Sequence, residues 1–479
     1  MIRTIIVIGS VCLAMGLSGW SDGQQAAAPF TYPETEIGRR VAGYVRAFND
    51  PNEGALRAFL TENLAPAALA QLSVINRLET LRRIKEDTGT LEPVRVRAAG
   101  AAAITLTART AKGEWLEMAF AFEPEPPHRL LGVRFGLQDS PPGPDEPETP
   151  ITEAELVEKL EQLLVDRSSR DEFSGVVLLT RGATPVFQKA YGLASREYNA
   201  PNRLDTRFNL GSINKFITQI AIEQLAGQGK LQLDAPIGNY LPDYPNPDAA
   251  AKVTVRHLLD MTGGIGDFFG ERYAATPKDR IRDLSDYLPL FAAEPLRFEP
   301  GARREYSNGG YVVLGLVIEK VSGQSYFDYV REHIYGPAGM SDSGHLETDI
   351  PVANVASGYT RLWDGGEHSG EPRRNNLYTR PCRGSSAGGG YATAGDLLKL
   401  VEALKAGRMG APERSRQITE AGLGIAGGAP GINAMVEVDA GKGYTLVVLS
   451  NYDPPVAMDV ARQVRSWLAR LAPPARPAN

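Results

Sequence analysis

The stretch FNLGSINKFITQIAIEQLAGQGKL, residues 208–231, decides how the rest of the chain is read. Ser212 and Lys215 stand three apart where a helix begins, and Phe216, Ile217, Ile220, Ala221 and Leu225 continue it as an apolar, buried helix. Three residues of α-helix advance about 4.5 Å and return to within about 60° of the same face, so the hydroxyl and the amine can meet. A serine hydroxyl is a weak nucleophile until something takes its proton. A lysine does so only with a depressed pKa, which burial on an apolar helix favours. The helix start adds backbone N–H groups suited to a developing oxyanion. The plainer alternative makes Ser212 an N-terminal cap and Lys215 a surface residue with its stem along the helix.

Further along, EPGARREYSNGGYVVLGLVIEKVSG (299–323) sets Tyr306 and Asn308 ahead of a glycine pair and a second apolar helix. A tyrosine beside a lysine can shuttle a proton, and an amide both donates and accepts. Alone, Tyr-x-Asn reads equally as a capped loop. Residues 175–179 and 185–191, then 434–438 and 444–449, alternate or run apolar as strands. A last helix covers 456–471, and residues 151–471 read as one large α/β unit with a Thr152 cap opening it.

From residue 172 to about 450 the chain resembles the serine β-lactamase and penicillin-binding-protein-like hydrolases, in the branch that holds class C β-lactamases, D-alanyl-D-alanine carboxypeptidases and related esterases. The likeness rests on blocks in order: FSGVVLLTRG with the Tyr191-Gly192 turn, TRFNLGSINKF, GQGKLQLDAPIGNYLPDYP, VTVRHLLDMTGGI, the 299–323 segment, GSSAGGGYATAGDLLKL and AGGAPGINA. It implies a β-lactamase/transpeptidase-like α/β (α+β) fold, an antiparallel sheet flanked by helices plus an all-helical region. It also implies acyl transfer without metal or organic cofactor. Ser212 attacks a carbonyl, Lys215 and Tyr306 share the proton duties, Asn308 positions substrate or Lys215, and the N–H groups of Ser212 and Gly428 form the oxyanion hole.

One block departs from the pattern. Many relatives carry Lys or His, a small residue, then Gly before the oxyanion strand; here the third motif reads Ile425, Ala426, Gly427. Isoleucine cannot hold a substrate carboxylate, which tilts the reading from β-lactamase or carboxypeptidase toward a neutral ester or amide. An impaired enzyme is the other way to read the departure. In the 257–264 block Met261 stands where relatives often have a second His, and His257 reads as structural.

Two long segments are expected to shape the pocket. Residues 265–298 mix aromatics with helix-like periodicity, and residues 361–386 combine Trp363 and Tyr378 with Arg373, Arg374, Arg380 and Arg383. One of these arginines could replace the missing basic group at 425; a solvated charged loop is the competing reading. Cys382, in the same loop, has no neighbour suited to activate it.

Outside this unit, residues 1–28 put Arg3 ahead of an apolar run and end in small residues, as an exported chain's signal peptide does. That implies a periplasmic or secreted bacterial protein with no integral membrane span after cleavage. Residues 34–84 show helical stripes and 94–137 show four strands, a small α+β domain whose element order loosely resembles the nuclear-transport-factor-like cone. Partner binding or a plain packing appendage both fit it. Residues 139–150, DSPPGPDEPETP, form a Pro/acid-rich linker, and 472–479 a tail.

The chain of 479 residues has 51 basic against 57 acidic side chains, a net charge of -6, which excludes a generally basic nucleic-acid binder. Its five histidines and two cysteines show no metal-ligand spacing. The reading that leads is an exported serine hydrolase acting on a small-molecule or cell-envelope-derived ester or amide. A β-lactamase or carboxypeptidase, and a noncatalytic binding or scaffold protein, are the alternatives.

Overall fold

The computed structural model describes residues 30–71, 74–98, 102–138, 150–363, 366–368 and 370–472. The expected signal peptide, the linker up to residue 149 and the tail beyond 472 lie outside the described residues. The chain divides between Pro147 and Glu148 into two compact units, each with its own core.

In the first unit, helices α1 (Glu36–Asn49), α2 (Glu53–Asn63), α3 (Pro66–Gln71) and α4 (Val74–Thr88) precede strands β1 (Leu91–Ala98), β2 (Ala103–Thr110), β3 (Trp115–Phe122) and β4 (Leu130–Gln138). The strands form an antiparallel meander in sequence order. Val41, Tyr44, Val45 and Phe48 fall on one face of α1 at helical spacing, and alternate sheet residues such as Leu106, Met118 and Phe120 complete the same cluster. Tyr44 meets Phe59 and Phe120 edge-on, with centroids 5.7 and 5.2 Å away.

The second unit begins with α5 (Glu153–Ser169), opened by a reciprocal capping box between Thr152 and Glu155. Strands β5 (Gly175–Arg181) and β6 (Thr184–Tyr191) follow, then the helices α6 (Asn214–Gly227), α7 (Asn308–Ser322) and α8 (Ala394–Lys405). The chain returns to the sheet as β7 (Leu423–Ala429), β8 (Ile432–Asp439) and β9 (Tyr444–Ser450), and ends on α9 (Val456–Ala469). The five strands lie antiparallel in the order β7-β8-β9-β5-β6, with Tyr444 opposite Arg181 and Ser450 opposite Gly175.

Strands β5 and β9 are covered on both faces, which is why they read as unbroken apolar runs. Val177, Leu179, Leu446 and Val448 pack against Leu156, Leu160 and Leu164 of α5 and Val460 and Val464 of α9. Val176, Leu178, Val447 and Leu449 face the opposite layer, built on α6, α7 and α8 through residues such as Ile220, Leu314 and Leu400. Helix α6 is buried almost all round, Lys215 included. The architecture is therefore the expected antiparallel sheet flanked by helices. Among the described residues no helix is long and apolar enough to cross a membrane.

Candidate active site

Ser212 sits in a 3-10 turn, Gly211–Ile213, that leads directly into α6. Gly211 adopts a left-handed φ of 50°, and its N–H donates to Asn209 Oδ1 at 2.9 Å. The turn lies backbone to backbone against the outer strand of the sheet, β7. A Cβ on Gly211 would fall 2.8 Å from Gly428 N, and one on Gly427 would fall 1.9 Å from Leu210 O and 2.8 Å from Ser212 N. Glycine at both positions is what lets the main-chain nitrogens of Ser212 and Gly428 share this seam.

One helical turn on, Lys215 is 5% exposed. Its Nζ donates to Asn308 Oδ1 at 2.6 Å, to the carbonyl of Ala387 at 2.6 Å and to Ser212 Oγ at 3.2 Å. All three partners are neutral. Burial lowers the amine to about 7, against a smaller upward pull from the charge of Asp267. The rings of Tyr306 and Tyr311 lie 4.7 and 5.5 Å from the nitrogen. Tyr306 OH shares a hydrogen bond of 2.6 Å with Ser212 Oγ, and the residue is 49% exposed. Burial of the phenol raises its pKa, so it is protonated at neutral pH. Asn308 begins α7, and its Nδ2 donates to Asp267 Oδ2 at 2.7 Å, which turns Oδ1 toward Lys215.

Ser212 opens onto a cavity of about 430 Å³. Phe268, Phe269, Tyr273 and Tyr287 form one wall; Leu346, Pro381 and Ile432 contribute elsewhere, and Gly428 and Ala429 bring the end of β7. The 265–298 segment thus supplies the aromatic wall. Phe268 and Tyr287 pack edge to face with centroids 4.8 Å apart.

The 361–386 loop corrects the sequence reading. Of the six residues singled out there, Arg380 lines the cavity and the other five do not. Arg373 has its side chain 7% exposed, paired with Asp453 at 3.1 Å and laid over the Tyr452 ring at 3.9 Å. Arg374 stacks on Trp363 at 4.2 Å, and the His368 ring lies parallel to Trp363 at 4.2 Å. Arg383 lies over Phe327 at 3.6 Å and donates to His345 O. Tyr378 is 86% exposed. A half-buried guanidinium needs a carboxylate or a ring, and Arg373 and Arg383 meet theirs without lining the cavity, while Arg374 is exposed. Arg380 itself donates to Tyr391 OH.

At the third motif position, Ile425 packs partly buried against the main apolar cluster and does not line the cavity; nor does Ala426. Gly427 holds the seam described above. His257 caps its own short helix, accepting from Thr254 N. Cys382 is buried, lines the cavity, and donates its thiol to Asp349 Oδ1 at 3.4 Å. Glu347 and Asp349, which approach that sulfur closely enough to form a ligand set, are already bridged by Arg282.

Asp267 and the Ala387 carbonyl are the groups that sequence reasoning missed. A main-chain oxygen leaves no side-chain signal at all. Asp267 was marked by one cue, a lone acid inside the apolar run IGDFF, but its partner Asn308 is 41 residues away.

A family model described as Beta-lactamase matches residues 154–470. The esterase EstB of Burkholderia gladioli is 30% identical over 311 residues, 59% of this chain and 76% of that protein. PbpX of Bacillus subtilis is 32% identical over 237 residues, 50% of this chain and 56% of its own length, so the match spans little more than half of that relative. Among solved structures, a penicillin-binding protein from Bacillus halodurans superposes with a TM-score of 0.57 at 32% identity, covering 64% of this chain and 98% of that one.

Proposed function

The chain belongs to the beta-lactamase family, and from that premise we propose that it is a serine hydrolase that cleaves a neutral ester or amide through an acyl-enzyme on Ser212. The observation that carries this is the set of partners around Lys215 Nζ. Two of its N–H bonds are taken by Asn308 Oδ1 and Ala387 O, so in the neutral amine the lone pair is left for the proton of Ser212 Oγ. An amine at about 7 is neutral in a large fraction of molecules at physiological pH.

Ser212 attacks the carbonyl as Lys215 takes its proton. The N–H groups of Ser212 and Gly428 receive the negative charge on the former carbonyl oxygen. Tyr306, protonated and hydrogen-bonded to Ser212 Oγ, gives its phenolic proton to the departing alcohol or amine and is reprotonated by the Lys215 ammonium by way of Oγ, which returns the amine to its neutral form; in the second half the proton taken from water goes back to Oγ. Water then adds to the acyl carbon, with the same amine as base, and Ser212 is released. Asn308 positions the amine, and Asp267 positions Asn308.

A fluorophosphonate probe is expected to label Ser212 in the full chain. Hydrolysis of 4-nitrophenyl esters is expected to be lost in Ser212→Ala. Equal activity of the two proteins, or no adduct and no turnover in the wild type, removes the reading. The absence of a basic side chain at 425 supports slow or no turnover of a chromogenic cephalosporin, whose carboxylate would lack its partner. Export rests on the charged start and apolar run of residues 1–28. An N-terminus sequenced from periplasmic or secreted protein should begin between residues 19 and 29.

A further inference from the structure

The cavity beside Ser212 holds a second kind of information, about what is attached to the carbonyl. Its aromatic wall comes from Phe268, Phe269, Tyr273 and Tyr287. Most of the polar side chains that share the lining make a hydrogen bond to the protein. Tyr273 OH donates to Thr379 O at 3.1 Å, Tyr287 OH to Arg383 O at 3.0 Å and Thr379 Oγ1 to Asn376 O at 2.8 Å. Asn209 Oδ1 accepts from Gly211 N, Ser385 Oγ accepts from Ala387 N, and Arg380 is held by Tyr391 OH. Among the described lining residues Arg380 carries the one formal charge. The occupant is therefore offered mostly apolar surface, with the guanidinium of Arg380 and the hydroxyl of Thr348 as the polar side-chain groups in the lining outside the catalytic set that are not fully engaged by the protein.

The side of the carbonyl that enters is set by the proton donor. A leaving group takes its proton from Tyr306, a residue 49% exposed, and so departs toward solvent. The aromatic wall is buried over Phe268, which follows Asp267 in the chain, and over Tyr273 and Tyr287, while Phe269 is 55% exposed. Resting on the hydrolase reading above, we infer that this cavity is an acyl site for a bulky, uncharged apolar group, a ring or a medium-length alkyl chain. Its volume of about 430 Å³ falls within the span of about 300–1,000 Å³ usual for small-molecule sites. An acetyl group would leave most of it unfilled.

Two isomeric esters separate the acyl side from the alcohol side. Ethyl hexanoate and hexyl acetate contain the same atoms, and both are compared with ethyl acetate by proton release. Ethyl hexanoate is expected to exceed ethyl acetate in kcat/KM on the order of 100-fold, about fourfold for each methylene withdrawn from water. Hexyl acetate is expected to gain no more than about threefold, the effect of less than one buried methylene. Equal rates for the isomers, or a reversed order, overturn the inference.

Charge is tested at constant length. Monoethyl glutarate places a carboxylate where ethyl pentanoate has its terminal methyl. A loss of at least about tenfold is expected, since Arg380 is held on Tyr391 OH and a carboxylate that it does not pair cannot be desolvated cheaply; equal rates overturn the inference. Ala429→Phe, which fills the cavity, should lower the hexanoate-to-acetate ratio. That ratio is measured on fluorophosphonate-reactive protein, and an unchanged ratio counts against the site; the wild-type isomer comparison stands whether or not the variant folds. Ester turnover with a flat acyl profile sinks only this inference. No turnover and no adduct at Ser212 sinks the hydrolase reading itself.

Discussion

Lys215 and Arg373 are both cations removed from water, the first 5% exposed and the second with its side chain 7% exposed. Burial lowers the pKa of each. Lys215 is given an amide oxygen, a carbonyl and a hydroxyl, with the carboxylate of Asp267 reaching it only through Asn308. Arg373 is given Asp453 directly, Asp171 nearby and the face of Tyr452. Neutral partners leave an amine able to lose its proton near pH 7. Carboxylates and a guanidinium that does not titrate make a fixed joint. Burial alone thus says nothing about whether a charge is for chemistry or for architecture; the partners decide.

Substitutions can break that contrast at either end. Lys215→Met removes the proposed base and is expected to lower kcat/KM on the order of 1,000-fold, with ester hydrolysis as the readout. A loss below tenfold would make Lys215 another joint. Tyr306→Phe keeps the ring beside the amine and deletes the hydroxyl that meets Ser212, and should cost about 100-fold.

Asp267→Asn sharpens the comparison, because it removes the one charge that raises the Lys215 pKa. In the wild type kcat/KM should rise with pH through about 7, as the amine becomes neutral, and level off above. In the variant that limb should move to lower pH, while the plateau falls about tenfold as Asn308 loses its anchor. A limb displaced upward would contradict the assignment. The sign for stability follows from the same shift. Between about 7 and the ordinary amine value of 10.5 the unfolded chain binds the proton and the native one does not, so this group's contribution to stability rises with pH across that window.

Arg373→Met should act on the opposite quantity. It removes the ion-pair partner of Asp453, whose carboxylate keeps only the N–H groups of Arg361 and Gly431, and is expected to cost about 3 kcal/mol in denaturant unfolding. Activity per folded molecule should change by less than about twofold, an effect of under about 0.5 kcal/mol on the barrier. Arg373→Met with intact stability and lost activity would return this loop to the substrate.

The contact of Ser212 with Lys215 was legible in their three-residue spacing on an apolar helix, and the layer of helices around a sheet in the order of the blocks. Tyr306 and Asn308 were legible as a motif, though nothing local ties position 306 to position 212. The arginines of 361–386 were not legible. A sequence shows their charge density but not Asp171 and Asp453, which lie some 80 to 200 residues away and reach them only through the fold. A shorter separation, 41 residues, hid Asp267 from Asn308 in the same way. The pairing of β5 with β9, between opposite ends of the unit, was beyond any local period, since both strands are apolar on both faces and carry no mark of register.

The seam between Gly211 and Gly427 has a consequence for how such a chain can diversify. Where two backbones touch, no side chain participates, and the amides that would polarise a carbonyl are held by the peptide units themselves. Neighbouring cavity positions such as Ala429 and Ile432 are free of that constraint. Selection can therefore rewrite which molecule is admitted while the apparatus that strains its bond is inherited intact, and a lineage can wander among substrates without passing through an inert ancestor.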